Sequence, residues 1–304
     1  MEEKKVNLGR KLSLENAKLI GSGYFSEVYQ ISEDTVVKVL KGTDTAEAER
    51  EIRLAKWAFG HGMPTPISFD VVDVNGHPGL VYESLGRGNL KKWLLAKPED
   101  FDEILRRYAE LLRSINSIEV EPGRLPEAKD EYFEKLGFVR DMITPEQYEN
   151  MSALLETIPE RGTLLHRDCQ IKNVRVVKGE LYIIDLDTLS RGDPIFELMA
   201  LCCCYDLFSC LCEGDVDDFF GMPKATLLRV YGTLLKLYFG GLPEAVIEEN
   251  DRKIRLLASL HMLWFAKKNM PEKVFLRELM YKGFSEYLPL VESLRLEYAP
   301  VQNS

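Results

Sequence analysis

His166-Arg167-Asp168-Cys169-Gln170-Ile171-Lys172-Asn173 is followed, twelve residues after Asn173, by Asp185 within Ile183-Ile184-Asp185-Leu186-Asp187. Transfer of a phosphoryl group to a hydroxyl needs an acceptor for the hydroxyl proton. It also needs oxygen ligands for a magnesium ion that bridges the phosphates and offsets charge in the transition state. Asp168 fits the first need, while Asn173 on the far side of the same loop and Asp185 at a strand end fit the second. A lone Asp-Asn pair would say little, so the rest of the chain has to supply the context.

Upstream of this loop the character is that of a sheet. Residues 16–40 alternate and are rich in β-branched and aromatic side chains, with Gly21 and Gly23 in the first gap and Ser32-Glu33-Asp34 in the second, which predicts three short antiparallel strands. Ala48, Ile52, Ala55 and Phe59 then share one helical face over 44–59, and Gly60, Gly62, Pro64 and Pro66 supply the stop signals. Two more strand-like runs, 67–74 and 80–84, flank an Asn75-Gly76 turn. From Asn89 onward the apolar residues repeat mostly with helical period, as in Phe101, Ile104, Leu105, Tyr108, Leu111, Leu112 and Ile115, and again over 226–239 and 253–266. Strand-like runs interrupt this only around 164–165, 174–177 and 181–184, and the tail after Glu297 carries no pattern.

The ordered set resembles the kinase-like superfamily, in its aminoglycoside phosphotransferase and choline kinase branch, where H-x-D-x-x-x-x-N is followed by I-D and then G-D-P; Gly192-Asp193-Pro194 closes that second motif here. The resemblance runs through nearly the whole chain in motif order. It implies an α+β, two-lobed protein-kinase-like fold, with a small antiparallel β-sheet lobe carrying one main helix and a larger, mainly α lobe. The expected boundaries are 1–86 for a nucleotide-binding lobe ending at a hinge, and 87–304 for a catalytic and substrate-binding lobe.

The resemblance also assigns residues upstream. Gly21-Ser22-Gly23-Tyr24-Phe25-Ser26-Glu27-Val28 is similar to the glycine-rich loop that covers ATP phosphates, with Ser26 where a third glycine would stand; Gly21, Ser22, Gly23, Ser26 and Val28 are the expected contacts. Lys38, between valines on the third strand, resembles the lysine that grips the α- and β-phosphates. Its carboxylate partner is expected to be Glu51 by position before Gly60, with Glu47 in reserve one turn away and Glu49 a surface acid. Motif order puts a hinge at 80–85, where backbone groups of Ser84 and Leu85 would meet the adenine edge. His166 is expected to brace the loop rather than carry a proton, and Asp187 and Asp193 rank below Asp185. One departure concerns Glu197, which stands where the family pattern has aspartate.

ATP and Mg2+ are therefore the expected cofactors, and a small-molecule hydroxyl the expected acceptor. A protein kinase is the nearest rival, but only 186–191 separate Asp185 from Gly192, too few for a phosphorylatable activation segment, and no D-F-G or A-P-E is present. A nucleotide-binding pseudokinase or regulator is the alternative from another class, and its warrant is the pair of departures at Ser26 and Glu197.

Composition narrows the partners. With 304 residues, 45% of them hydrophobic and 29% charged, the chain can bury a large core and is long for a single one. A net charge of −10 without a Lys/Arg block argues against nucleic acid. The acidic runs 213–218 and 248–251 invite a cationic acceptor such as an aminoglycoside or choline; a neutral sugar or polyol is equally open. Neither a secretory signal nor a bilayer-length apolar run is evident, so a cytoplasmic protein without membrane or obligate protein partner is expected. The most apolar window, 196–212, reads as a buried helix; it holds Cys202, Cys203, Cys204, Cys210 and Cys212 in no zinc-like spacing, which suggests small buried thiols. His61, His77 and His261 stand apart from any metal-ligand pattern and are expected to be structural or exposed.

Overall fold

A computed structural model describes residues 10–23, 25–42, 45–208 and 220–299. Tyr24, Asp44 at the expected helix start, Cys210, Cys212 and the acidic run 213–218 lie outside the described residues. Proximity along the backbone divides the chain into two compact units. One comprises Met1–Trp93 with Asn173–Asp187, and the other Leu94–Lys172 with Thr188–Ser304.

The first unit is a five-stranded antiparallel sheet of β1 (Lys18–Ser22), β2 (Ser26–Gln30), β3 (Thr35–Leu40), β4 (Ser68–Val74) and β5 (His77–Glu83), in the order β1-β2-β3-β5-β4. Asn75 and Gly76, both with positive φ, close the β4–β5 hairpin, as an Asn-Gly pair does when the turn must match the strands' twist. Helix α1 (Thr45–Gly60) joins β3 to β4 and lays Ala48 and Ile52 on Leu80, with Leu40, Val71 and Tyr82 alongside. The opposite face buries Val37, Val72, Val74 and Val81 beneath Leu12 and Leu14 of the entering chain. Leu12 is fixed there by its N–H to the carbonyl of Asp73 at 2.8 Å. Strand alternation thus gives the sheet two apolar faces, each with its own cover.

Residues 173–187 join this unit through a hairpin of β6 (Val174–Val177) and β7 (Glu180–Ile183), turned at Lys178-Gly179 with positive φ at both. The Ile183 N–H donates to the Pro64 carbonyl at 2.7 Å, and the Val176 N–H to that of Gly88 at 3.2 Å. Gly88 is required by this approach, because a Cβ there would meet the Val176 carbonyl oxygen at 2.6 Å. Helix α2 (Leu90–Ala96) follows and crosses the boundary between the units.

The second unit is mainly helical: α3 (Phe101–Ile115), α4 (Ala128–Phe138), α5 (Pro145–Glu156), α6 (Ile195–Cys202), α7 (Lys224–Tyr238), α8 (Glu244–Asn269) and α9 (Val274–Tyr287). Helix α3 buries Ile104, Leu105, Tyr108, Leu111, Leu112 and Ile115 on one stripe, the face that packs on α7. Helix α5 starts in a capping box, Thr144 Oγ1 accepting the Gln147 N–H while Gln147 Oε1 accepts that of Thr144. Two short strands, Thr163–Leu165 and Ser190–Gly192, pair antiparallel; the second was not expected, since Ser190-Arg191-Gly192 holds no β-branched residue and is fixed by its partner strand. Among the described residues no helix is long and apolar enough to cross a membrane.

Candidate active site

Lys38 lies on β3, where the register sets it opposite Leu80 and Val36 opposite Tyr82, so these four side chains share a face of the sheet. From this face the Lys38 ammonium donates to Glu51 Oε1 at 3.0 Å and reaches Asp185 Oδ1 at 3.3 Å. Glu51 is buried on α1 and also accepts from the Tyr82 hydroxyl at 3.0 Å, whereas Glu47 is exposed. Burial works against the charge on Lys38, but Asp185 and Glu51 outweigh it and hold the lysine pKa above its ordinary value. Burial beside Glu51 pushes the Tyr82 hydroxyl well up, which keeps it a proton donor. Tyr82 was not singled out in the sequence, although the alternation that turns Lys38 inward assigns it the same face.

These groups line a cleft of about 660 Å³, a volume that counts the solvent-open space at its mouth. Its sheet side carries Ile20, Val28 and Val36, its rim Glu83, Ser84, Leu85 and Gly86, and its hairpin side Arg175, Ile184 and Asp185. Of the sequence candidates, Val28, Lys38, Glu51, Ser84, Leu85 and Asp185 line it; Gly21, Ser22, Gly23, Ser26 and Asn173 do not. Gly21 and Ser22 are instead paired in the β1–β2 ladder with Val28 and Glu27, and the Gly23 N–H is taken by the Ser26 carbonyl at 2.8 Å. A Cβ on Gly21 or Gly23 would make only ordinary contacts, so the hairpin by itself does not demand glycine at either position. Thr65 also lines the cavity, with a buried hydroxyl that has no hydrogen-bond partner.

Asn173 and Asp185 flank the open end of the β6–β7 hairpin, where Val174 pairs with Ile183 and the Ile184 N–H donates to the Asn173 carbonyl at 3.0 Å. Asp185 has φ of 63°, a conformation costly for a non-glycine residue and common where a side chain must be aimed. Its carboxylate is 43% exposed, and its contact with Lys38 uses Oδ1. An amide oxygen and an open carboxylate are the hard donors magnesium prefers, with the remaining positions left to water and phosphate, so these two residues fit the ion. Among the described residues no group of three or more His, Cys, Asp or Glu forms a metal site.

In the second unit, the loop bearing Asp168 is held by its backbone. The buried carboxylate of Glu197, on α6, accepts the His166 N–H at 2.5 Å and the Arg167 N–H at 3.0 Å. Burial raises the Glu197 pKa, opposed by these two amides. Glutamate thus serves where the family pattern has aspartate. The Thr188 hydroxyl donates to the His166 carbonyl at 2.6 Å, and His166 Nδ1 accepts the Asp168 N–H at 3.1 Å. Further along, the Tyr205 hydroxyl accepts the Ile171 N–H at 2.9 Å, and the Tyr108 hydroxyl donates to the Cys169 carbonyl. Tyr205 belongs to a π-helical turn, Cys203–Leu207, that continues α6. The apolar cysteine-rich window therefore carries a tie to the Asp168 loop, and its period departs from α just where that tie is made. Cys169, Cys202 and Cys203 are buried and Cys204 partly so; burial raises all four thiols, Cys202 to about 12, which leaves them protonated and inert.

Arg167, with φ of 62°, donates from Nη1 to Glu131 Oε2 on α4 at 2.6 Å. Glu131 is shared with buried Lys135 at 2.6 Å, and Lys135 meets His261 Nδ1 at 3.0 Å, where the Tyr132 hydroxyl also lies at 2.8 Å. Burial, then Lys135 and Arg167, lower the His261 pKa well below the ordinary value. This network was not legible as such: its members sit on separate elements. The acids of the 248–251 run are partly engaged, Glu249 with Arg252 at 2.5 Å and Asp251 with Arg255 at 2.8 Å.

A family model described as a phosphotransferase enzyme family matches residues 16–232. The chain is similar in fold to the ADP-bound aminoglycoside phosphotransferase APH(2'')-Ib, with 20% identity, a TM-score of 0.57 and 97% of each chain covered. It is similar too to APH(2'')-IIa in a ternary complex with streptomycin and ATP, at 19% identity and a TM-score of 0.53 over 92% of this chain and 93% of that one. An apo thermostable mutant of APH(4)-Ia is 13% identical, with a TM-score of 0.55, covering 90% of this chain and 94% of its own. No curated protein sequence matches.

Proposed function

The chain belongs to the phosphotransferase enzyme family, and we propose that it moves the γ-phosphate of ATP to a hydroxyl of a small molecule. The observation that carries this reading is the cavity in which Lys38, paired at 3.0 Å with Glu51 and at 3.3 Å with Asp185, shares a lining with the 84–86 rim. In this reading the rim backbone at Ser84 and Leu85 meets the adenine edge, and Val28 covers the base. Lys38 meets the α- and β-phosphates, its position held by Glu51. Gly21, Ser22, Gly23 and Ser26 lie over the phosphates, where close backbone approach explains glycines that the hairpin does not itself require.

Asp168 takes the acceptor's proton as the hydroxyl oxygen bonds to the γ-phosphorus, and the bond to the bridging oxygen breaks with its electrons leaving on ADP. Asn173 and Asp185 would hold Mg2+, which supplies charge neutralisation across the phosphates. Glu197, Tyr205 and Tyr108 bond the His166, Arg167 and Ile171 amides and the Cys169 carbonyl, which steadies the backbone that presents Asp168. The boundaries proposed for the two lobes remain 1–86 and 87–304.

For the acceptor we propose an aminoglycoside, an amino alcohol or a sugar-like alcohol. Streptomycin and gentamicin are bound in structures of APH(2'')-IIa that are similar in fold, and the short stretch from Asp185 to the strand at Ser190–Gly192 supports a small molecule over a protein. The test is thermal unfolding with and without ATP and magnesium, followed by ADP release across a panel of aminoglycosides, amino alcohols and sugars. Nucleotide at about 100 times its dissociation constant should stabilise the fold by about 2.7 kcal/mol. No shift with ATP and magnesium, or no ADP release with any hydroxyl compound, sinks the reading.

A further inference from the structure

Arg167 stands directly before Asp168, and the peptide that enters it is gripped at both ends. The Thr188 hydroxyl donates to the His166 carbonyl at 2.6 Å, and the Arg167 N–H donates to Glu197 Oε2 at 3.0 Å. The Arg167 side chain is tied separately, Nη1 donating to Glu131 Oε2 on α4 at 2.6 Å and Nε to the Thr188 carbonyl at 3.4 Å. A peptide plane fixed on one side of Cα and a Cβ direction fixed on the other together set φ, and it is held at 62°, a region that a residue with a Cβ otherwise avoids. Rotation about that bond would carry the Asp168 N–H off His166 Nδ1, its acceptor at 3.1 Å, and would carry the Asp168 carboxylate with it.

Glu131 is anchored in its turn. Its Oε1 accepts from Lys135 Nζ at 2.6 Å, and that buried ammonium lies 4.5 Å from the Tyr132 ring centroid and 4.4 Å from that of Trp264. Burial works against the charge on Glu131, but Arg167 and Lys135 outweigh it and hold the carboxyl below its ordinary range. The Arg167 side chain is 16% exposed, so its bond to Glu131 is charge-assisted and largely out of solvent, a stronger link than an exposed ion pair. We propose that Glu131 is a positioning residue for phosphoryl transfer: through Arg167 it holds the left-handed turn that presents Asp168 to the acceptor hydroxyl. The proposal rests on the phosphotransfer reading and adds to it a residue from a helix that carries none of the motifs.

Kinetics on the whole chain separate positioning from support of α4 alone. ADP release from ATP with magnesium would be measured with water as acceptor and with each compound of the acceptor panel, for the wild type, Glu131→Ala, Arg167→Gly and the double variant. Glycine adopts a φ of 62° at little cost but offers no side chain to hold it there, so it removes the clamp and keeps the backbone amide. Each single variant is expected to lower kcat about 10²-fold, the effect of displacing a reacting group by about 1 Å, with KM for ATP within about twofold. The double variant should fall no further, because both changes break one link. Glu131→Gln keeps an acceptor oxygen without the charge and stands in should the alanine variant fail to fold; its expected loss in kcat is about tenfold. Losses that multiply in the double variant would place the effect of Glu131 elsewhere and overturn the proposal, as would a loss confined to KM. A wild type that releases no ADP with water or any panel compound overturns the phosphotransfer reading and this role with it, whereas an active wild type whose kcat is unmoved by the glutamate substitutions overturns only the role of Glu131.

Discussion

The two units hold their candidate acids by opposite means. In the sheet unit Asp185 is 43% exposed, sits at the end of a hairpin and is steadied by an ion pair with Lys38. In the helical unit the loop of Asp168 is fixed through its own amides and carbonyls by Glu197, Tyr205 and Tyr108, all buried. Both motifs contain a non-glycine residue in the left-handed region, Asp185 and Arg167, so both pay a local strain. The difference lies in what offsets it. A charge that must be free to change partners is held by another charge, while a loop that must keep one shape is held by buried hydrogen bonds that water cannot replace.

This contrast can be broken most directly at Asp168. Asp168→Asn should lower kcat by roughly 10²–10⁴-fold, the usual worth of a positioned base, with ATP affinity and melting temperature unchanged. Retained turnover would remove the catalytic assignment from the helical unit. Glu197→Ala comes next: it leaves the His166 and Arg167 amides without their acceptor and should cost about 3 kcal/mol in denaturant unfolding. A loss under 1 kcal/mol would mean that the loop is held by something else. Asp185→Asn sharpens the other half of the comparison, because it should leave unfolding free energy within about 0.5 kcal/mol while weakening magnesium-dependent ATP affinity about tenfold by calorimetry.

The smallest expected effect is a pH slope. The native state refuses a proton at His261, whose pKa lies well below its unfolded value of 6.5. As pH falls below 6.5 the unfolded chain binds that proton and the folded chain does not, so stability declines toward acid. Above 6.5 both forms are neutral and the contribution vanishes. His261→Gln should flatten the decline between about pH 6.5 and 5 in chemical denaturation, and an identical slope in the variant would assign it to the carboxylates instead.

Much of this was legible where a residue's role follows from its own strand or helix. The Asn75-Gly76 turn, the period-two face carrying Lys38 and the helical stripe of α3 all come from local pattern, and Glu51 followed from its place in a motif. What escaped depends on partners far away in the chain. The hairpin at 174–183 belongs with the sheet because Pro64 and Gly88 accept its amides, which no periodicity records. Tyr205 acquires its role from a π-turn in a segment that reads as plain helix, and the Arg167, Glu131, Lys135 and His261 network joins three separate elements. The left-handed residues at 167 and 185 gave no warning either, since neither arginine nor a strand-end aspartate announces such a turn.

Gly88 carries one last implication. The methyl group it lacks is the clearance that lets the hairpin seat, and the hairpin bears Asn173, Arg175 and Asp185. Substituting alanine there would have to displace the Val176 carbonyl and so would shift those three together. A mutational scan scored on turnover would then place Gly88 beside the acids, and read alone it would be mistaken for a residue that touches the nucleotide.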